Sequence, residues 1–204
     1  KRDYVQRVVE YDKAACAEVS RQFGMDYFDG DRRYGYGGYR YDGRWRPFAE
    51  KLVSHYALKP GDRVLDIGCG KGFLVHDFRE ALPGLRAEGV DVSEYAIANA
   101  MPAVKEHVRV ASAIKLPYPD RSFDLVVTIN TLHNLYLYQL REALREIERV
   151  GRGQKYIVMD SYRTEREKVN LMYWQLTCEC FFRPAEWEWL FQEFGYTGDH
   201  GFVF

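Results

Sequence analysis

Four cysteines in 204 residues is few, and their positions, Cys16, Cys69, Cys178 and Cys180, suit neither a disulfide framework nor the paired spacings of a zinc site. No metal-ligating cluster is visible, so no metal is expected. Charge is lacking in net terms: 29 basic against 30 acidic residues leave −1, which argues against a partner bound through its phosphate backbone, such as nucleic acid. Also missing is any apolar run approaching the ~20 residues of a membrane span, and the polar, charged N-terminus is unlike a secretory leader. The expectation is a cytoplasmic protein without membrane attachment. Low-complexity stretches and internal repeats are absent too, and the length suits one domain.

What is present is an excess of rings, sixteen tyrosines and twelve phenylalanines. They crowd into Tyr27–Trp45 and Tyr173–Phe204. The first crowd holds five glycines, which deny it any helical or strand period, so it reads as a loop. Residues 4–23 read as one helix and 47–56 as another. From Arg63 onward apolar strands alternate with helices. The strands fall at 63–67, 86–90, 108–111, 123–129 and 155–160. The helices fall at 73–81, 94–100 and 135–150, the last strongly amphipathic. That alternation specifies a parallel sheet covered on both faces. The 169–194 tail reads as two helices parted at Pro184, and 201–204 as an edge strand.

Val64-Leu65-Asp66-Ile67-Gly68-Cys69-Gly70-Lys71-Gly72 ends the first strand and opens a helix. Glycines there let the backbone turn tightly and approach a ligand. The competing reading is the G-x-G-x-x-G dinucleotide fingerprint, which seats a pyrophosphate. The spacing here is G-x-G-x-G, and Asp66 stands two residues before the first glycine. A carboxylate at that place repels a pyrophosphate and attracts a sulfonium-bearing amino acid.

This stretch resembles the first motif of class I S-adenosylmethionine-dependent methyltransferases. Gly89-Val90-Asp91-Val92-Ser93 is similar to their second motif, and Ala111-Ser112-Ala113 with Leu116-Pro117-Tyr118-Pro119-Asp120 to their third. Asp124–Asn130, ending in Thr131-Leu132-His133-Asn134, resembles their fourth strand and the loop after it. Most relatives carry Asp where Ser112 stands. The resemblance implies an α/β fold, a Rossmann-like three-layer sandwich with a mostly parallel central sheet, to which an N-terminal helix and an aromatic, Gly-rich lid are added. It further implies S-adenosylmethionine as cofactor, held by Asp66, Gly68, Cys69, Gly70, Gly72, Asp91, Val92, Ser112, Ala113 and Asn130, with Asp91 on the ribose hydroxyls. One domain is expected over 1–204: helices and lid over 1–58, the cofactor core over 59–160 and a substrate-side part over 161–204.

His133, just past the fourth strand, is the candidate general base, with a pocket-lining role as the alternative. Tyr36, Tyr39, Arg44, Tyr162 and Tyr173 are the candidate substrate contacts. The lid's arginines suggest an anionic group on a small acceptor, a sugar, nucleotide-linked sugar or other metabolite. A protein or peptide acceptor and a non-catalytic S-adenosylmethionine-binding protein are the alternatives.

Overall fold

The computed structural model describes residues 4–204. Six parallel strands form one sheet in the order β3-β2-β1-β4-β5-β6. They are β1 (Arg63–Ile67), β2 (Arg86–Asp91), β3 (Val108–Val110), β4 (Phe123–Ile129), β5 (Gly151–Asp160) and β6 (Asp199–Val203). The order reverses between β1 and β4, and a crevice opens beyond the carboxyl ends of the strands at such a switch point.

The nine α-helices among the described residues are α1 (Tyr4–Glu10), α2 (Lys13–Ser20), α3 (Met25–Phe28), α4 (Arg46–His55), α5 (Phe73–Ala81), α6 (Glu94–Ala98), α7 (Leu137–Val150), α8 (Glu165–Trp174) and α9 (Pro184–Glu193). The helix expected over residues 4–23 is two helices. Asp12 breaks it: its extended backbone leaves the helix, and its carboxylate caps α2 by accepting from Ala14 and Ala15 N–H. The tail is also interrupted earlier than Pro184 alone requires. α8 stops at Trp174, residues 175–183 cross the molecule without helix, and Pro184 then opens α9 at its first turn. None of these helices is long and apolar enough to cross a membrane.

Two apolar clusters flank the sheet. On one face α7 and α9 set Leu140, Leu144, Ile147, Trp187 and Leu190 against Leu65, Ile67 and Phe123. On the other, α4 and α5 bring Ala49, Leu52, Val75 and Phe78 onto Val64, Leu125 and Val127. The two-residue period of β1 thus feeds both layers. Phe123 and Leu125 pack on opposite faces although they are two residues apart, and the register with β5 shifts between them.

Candidate functional site

Three glycines shape the turn after β1, and each does something different. Gly68 has φ +80°, and a Cβ on it would lie 2.0 Å from Thr131 Oγ1. Gly70 has φ +54°, with the Tyr39 ring where its side chain would be. Gly72 caps α5 at φ +78° and packs on Val104 and Val108. All three are in the left-handed region that a side chain makes costly.

Asp91, at the end of β2, locks this turn. Its Oδ2 accepts from Gly70 N–H at 2.8 Å and its Oδ1 from Ser93 N–H at 2.8 Å. Ser93 caps α6 itself, its Oγ accepting from Ala96 N–H. Asp91 faces a cavity of about 130 Å³ lined also by Gly68, Gly70, Val92, Ser112, Ala113 and Asn130. Asn130 adopts φ +52° where β4 ends, and its N–H donates to Val158 O. Asparagine is the side chain that tolerates this backbone best after glycine.

The rest of the expected cofactor set lies outside that lining. Gly72 is turned to the packing side. Cys69 is buried with its sulfur against Gly89. Asp66 is 4% exposed, and burial with the neighbouring Asp91 charge pushes its carboxyl up to about 8. At neutral pH Asp66 is therefore mostly protonated, and Asp91 is the acid that meets the cavity. Burial pushes Asp91 up as well, against the backbone hydrogen bonds that favour its ionised form. Neither acid is in an ion pair among the described residues. A half-buried carboxylate with two spare lone pairs, set over a glycine turn whose one cation, Lys71, is spent on Asp29, suits a positively charged ligand bearing a diol. It does not suit a pyrophosphate.

A second cavity of about 300 Å³ adjoins the first. Tyr27, Tyr36, Tyr39, Asn130 and Asn134 line both. Tyr36, Tyr39 and Arg44 are found on its lining, together with Arg7, Arg32 and Arg40. Tyr162 and Tyr173 are not. Tyr162 is buried against Lys168 and Arg183, and from the Tyr173 stretch only the backbone carbonyl takes part, accepting from Arg7. Where α8 ends, the chain turns Trp174, Gln175, Leu176 and Thr177 into the cavity instead. Asp160, Gln175 and Asn134 were not singled out from the sequence as site residues. For Asp160 the signal was there, an acid at the carboxyl end of a central strand.

The aromatic stretch lies over both cavities as a structured layer. Asp29 ties it down: its carboxylate accepts from Lys71 Nζ at 2.6 Å, Tyr95 Oη at 2.8 Å and Tyr39 N–H at 3.0 Å. Lys71 belongs to the glycine turn and also donates to Tyr39 O. Tyr41 Oη donates to Asp77 on α5. The layer is thus fastened directly to the turn beneath it.

His133 is fully buried in the second cavity's wall. Its Nδ1 accepts from Asp160 N–H at 3.3 Å, so the ring proton sits on Nε2, 3.4 Å from Asp160 Oδ2 and 3.4 Å from Gln175 Nε2. Desolvation drops its pKa to about 3. Nδ1 is committed, Nε2–H faces Asp160 Oδ2 and the ring is neutral, an arrangement that does not suit the general base expected of it. The described residues hold no His, Cys, Asp and Glu cluster of metal-binding shape.

A family profile described as a methyltransferase domain matches residues 58–195. The chain belongs to this methyltransferase domain family. The domain is 34% identical over 112 residues to 27-O-demethylrifamycin SV methyltransferase of Amycolatopsis mediterranei, covering 50% of this chain and 41% of that protein. Its fold is shared with the YcgJ protein of Bacillus subtilis (TM-score 0.59, 24% identity, 72% of this chain and 68% of that one). It is shared too with a geranyl diphosphate methyltransferase solved with S-adenosylmethionine (TM-score 0.60, 20% identity, 72% and 63%). The methyltransferase domain spans about half the length of the curated relatives it matches, 41% and 50% for two of them.

Proposed function

We propose that this chain binds S-adenosylmethionine over the glycine turn and transfers its methyl group to a small, anionic acceptor in the adjoining cavity. The observation that carries the reading is the continuity of the two cavities across Asn130, Asn134, Tyr36 and Tyr39. One holds the acid and glycines of a sulfonium site, the other opens beside it. The cofactor supplies an activated methyl on a positively charged sulfur. The chain supplies the rest: Asp91 for the ribose hydroxyls, Ser112 and Ala113 beside the base, Tyr36 and Tyr39 as a wall that excludes water. Arg7, Arg32 and Arg40 around the second cavity favour an anionic group on the acceptor, Arg44 being paired with Asp42, and its volume favours a metabolite over a polypeptide. The named activity of the rifamycin relative, also on a small molecule, supports the same class. Residues 1–204 act as one unit in this reading, with 1–58 closing over the core and 161–204 completing the acceptor wall.

Calorimetry tests the first half. S-adenosylhomocysteine should bind the wild type and NAD should not. Asp91→Ala should weaken the binding by about 1–3 kcal/mol, the cost of removing a ligand-paired carboxylate. Equal affinity for wild type and variant, with intact circular dichroism, removes Asp91 from the site.

A further inference from the structure

Asp160 ends β5 on the floor of the second cavity, with no exposed surface. Its Oδ2 accepts from Gln175 Nε2, and His133 Nε2 stands beside that same oxygen. Its Oδ1 has no hydrogen-bond partner among the described residues. Buried polar atoms are almost always paired, and one left over in a cavity wall points to a donor that arrives with a ligand. The neighbours fix the Asp160 backbone from which the carboxyl projects: its N–H donates to His133 Nδ1, and its carbonyl accepts from the Trp187 indole.

We propose that Asp160 is the catalytic base of this site, its Oδ1 taking the proton of an acceptor hydroxyl, with His133 and Gln175 as positioning residues. The proposal rests on the methyl-transfer reading above. An oxygen lone pair of the acceptor forms the new O–CH3 bond. The CH3–S bond breaks and leaves its electron pair on sulfur. The O–H proton passes to Asp160 Oδ1, and its bonding pair stays on the acceptor oxygen. A hydroxyl fits this geometry better than an amine. Facing a buried carboxylate, an amine is held as an ammonium and has no lone pair to attack with, whereas a hydroxyl donates one hydrogen bond and keeps its own.

The electrostatics suit the task. Burial raises the Asp160 carboxyl to about 6, and the Gln175 hydrogen bond tempers that rise. A base poised near working pH is the efficient kind. The ionisable groups facing the carboxyl are His133 from the turn after β4, Cys178 from the 175–183 segment and Tyr36 from the aromatic layer. His133 is held neutral, and burial pushes both Cys178 and Tyr36 up, so none of the three changes charge near pH 6. The arginines lining the cavity keep theirs throughout.

The test uses wild type, Asp160→Asn and Gln175→Leu. Radiolabelled S-adenosylmethionine is offered with hydroxycarboxylates, sugar phosphates and the amino counterpart of each. Hydroxyl members should be methylated, with turnover rising through a midpoint near pH 6. Asp160→Asn should lower turnover by about 10²–10⁴-fold and abolish that rise, while S-adenosylhomocysteine affinity stays within about twofold. Gln175→Leu should move the midpoint upward, an effect that a purely structural role would not produce. Independently of any acceptor, the infrared difference between wild type and Asp160→Asn, taken with S-adenosylhomocysteine bound, should show a carboxyl titrating near pH 6. The proposal is overturned by a variant within tenfold of wild type with the same profile, by methylation of the amines alone or of nothing in the set, or by a silent infrared difference. Failure of S-adenosylhomocysteine to bind the wild type sinks the methyl-transfer reading instead.

Discussion

The two cavities share a tyrosine wall but are made of different material. The smaller one is largely backbone: glycines in the left-handed region, an asparagine strained alike, and one carboxylate holding the turn through two N–H groups. Apart from the rings of residues 23–39, its walls come from strand ends between Ile67 and Leu135. The larger one is built mainly of long side chains drawn from Arg7 to Thr177, out of six separate segments. A site made of backbone has no room for an added atom, whereas a site made of side chains fails only where a particular functional group is removed. Substitutions that add one carbon and substitutions that delete one oxygen should therefore act in opposite ways on the two halves.

The largest effect is expected at Gly68. Alanine there meets Thr131 Oγ1 at 2.0 Å and Thr131 Cβ at 2.7 Å, at a φ of +80° that costs about 1–2 kcal/mol before any clash. Gly68→Ala should lower S-adenosylhomocysteine affinity by more than about 100-fold in calorimetry, equivalent to about 3 kcal/mol. Adding Thr131→Ala should not restore it, because the β-carbon stays in the way. Wild-type affinity in the single variant would show that the turn is not backbone-limited.

Comparable in size, but confined to the other half, is the pH dependence of stability that Asp160 brings. Its folded pKa is raised to about 6 from an ordinary 3.8. The folded state binds this proton more tightly, so the group's stabilisation is complete below about pH 4 and lost as pH rises through 6. The loss amounts to about 3 kcal/mol at neutral pH, at 1.36 kcal/mol per pKa unit. His133 works the other way: its folded pKa near 3 gives stability above the ordinary 6.5 that is lost as pH falls. Comparison with Asp160→Asn isolates the first contribution. The melting temperature of the variant minus that of the wild type should grow between pH 4 and 7. A difference that stays flat would mean that Asp160 titrates normally.

The same contrast explains what the sequence discloses. The sheet and the smaller cavity are legible because they follow local rules: apolar strands with turn residues between, glycines where φ is positive, an acid at the end of β2. Even so, Asp66, Cys69 and Gly72 belong to the motif without lining the cavity, since a tight turn points only some of its residues forward. The larger cavity follows no local rule. Gln175 enters it because α8 stops at Trp174 without a glycine or proline to announce the end, and the Glu179 and Cys180 N–H groups then bond His133 O. His133 was visible as a polar residue at the right edge of the sheet. Its neutral state, however, comes from full burial, and its tautomer from a bond with Asp160 N–H, 27 residues away, neither of which any pattern in the chain reveals.

The smallest effect is expected at Tyr173, one residue before the cavity begins. Its ring does not line the acceptor cavity, and its one recorded contact there is through the carbonyl that Arg7 grips at 2.8 Å, alongside the carbonyl of Trp174. A backbone contact survives any side-chain change, so Tyr173→Phe deletes only a half-buried hydroxyl. Stability should stay within about 0.5 kcal/mol by thermal melt, and the acceptor KM within about twofold. The neighbouring Trp174 does line the cavity, and Trp174→Ala should raise KM with little change in S-adenosylhomocysteine affinity. A Tyr173 variant that impaired the acceptor as strongly as the Trp174 variant would mean that α8 rotates by about 100°, one residue, when the acceptor binds. The larger cavity would then be assembled by its ligand, and the contrast with the preformed glycine turn would be sharper still.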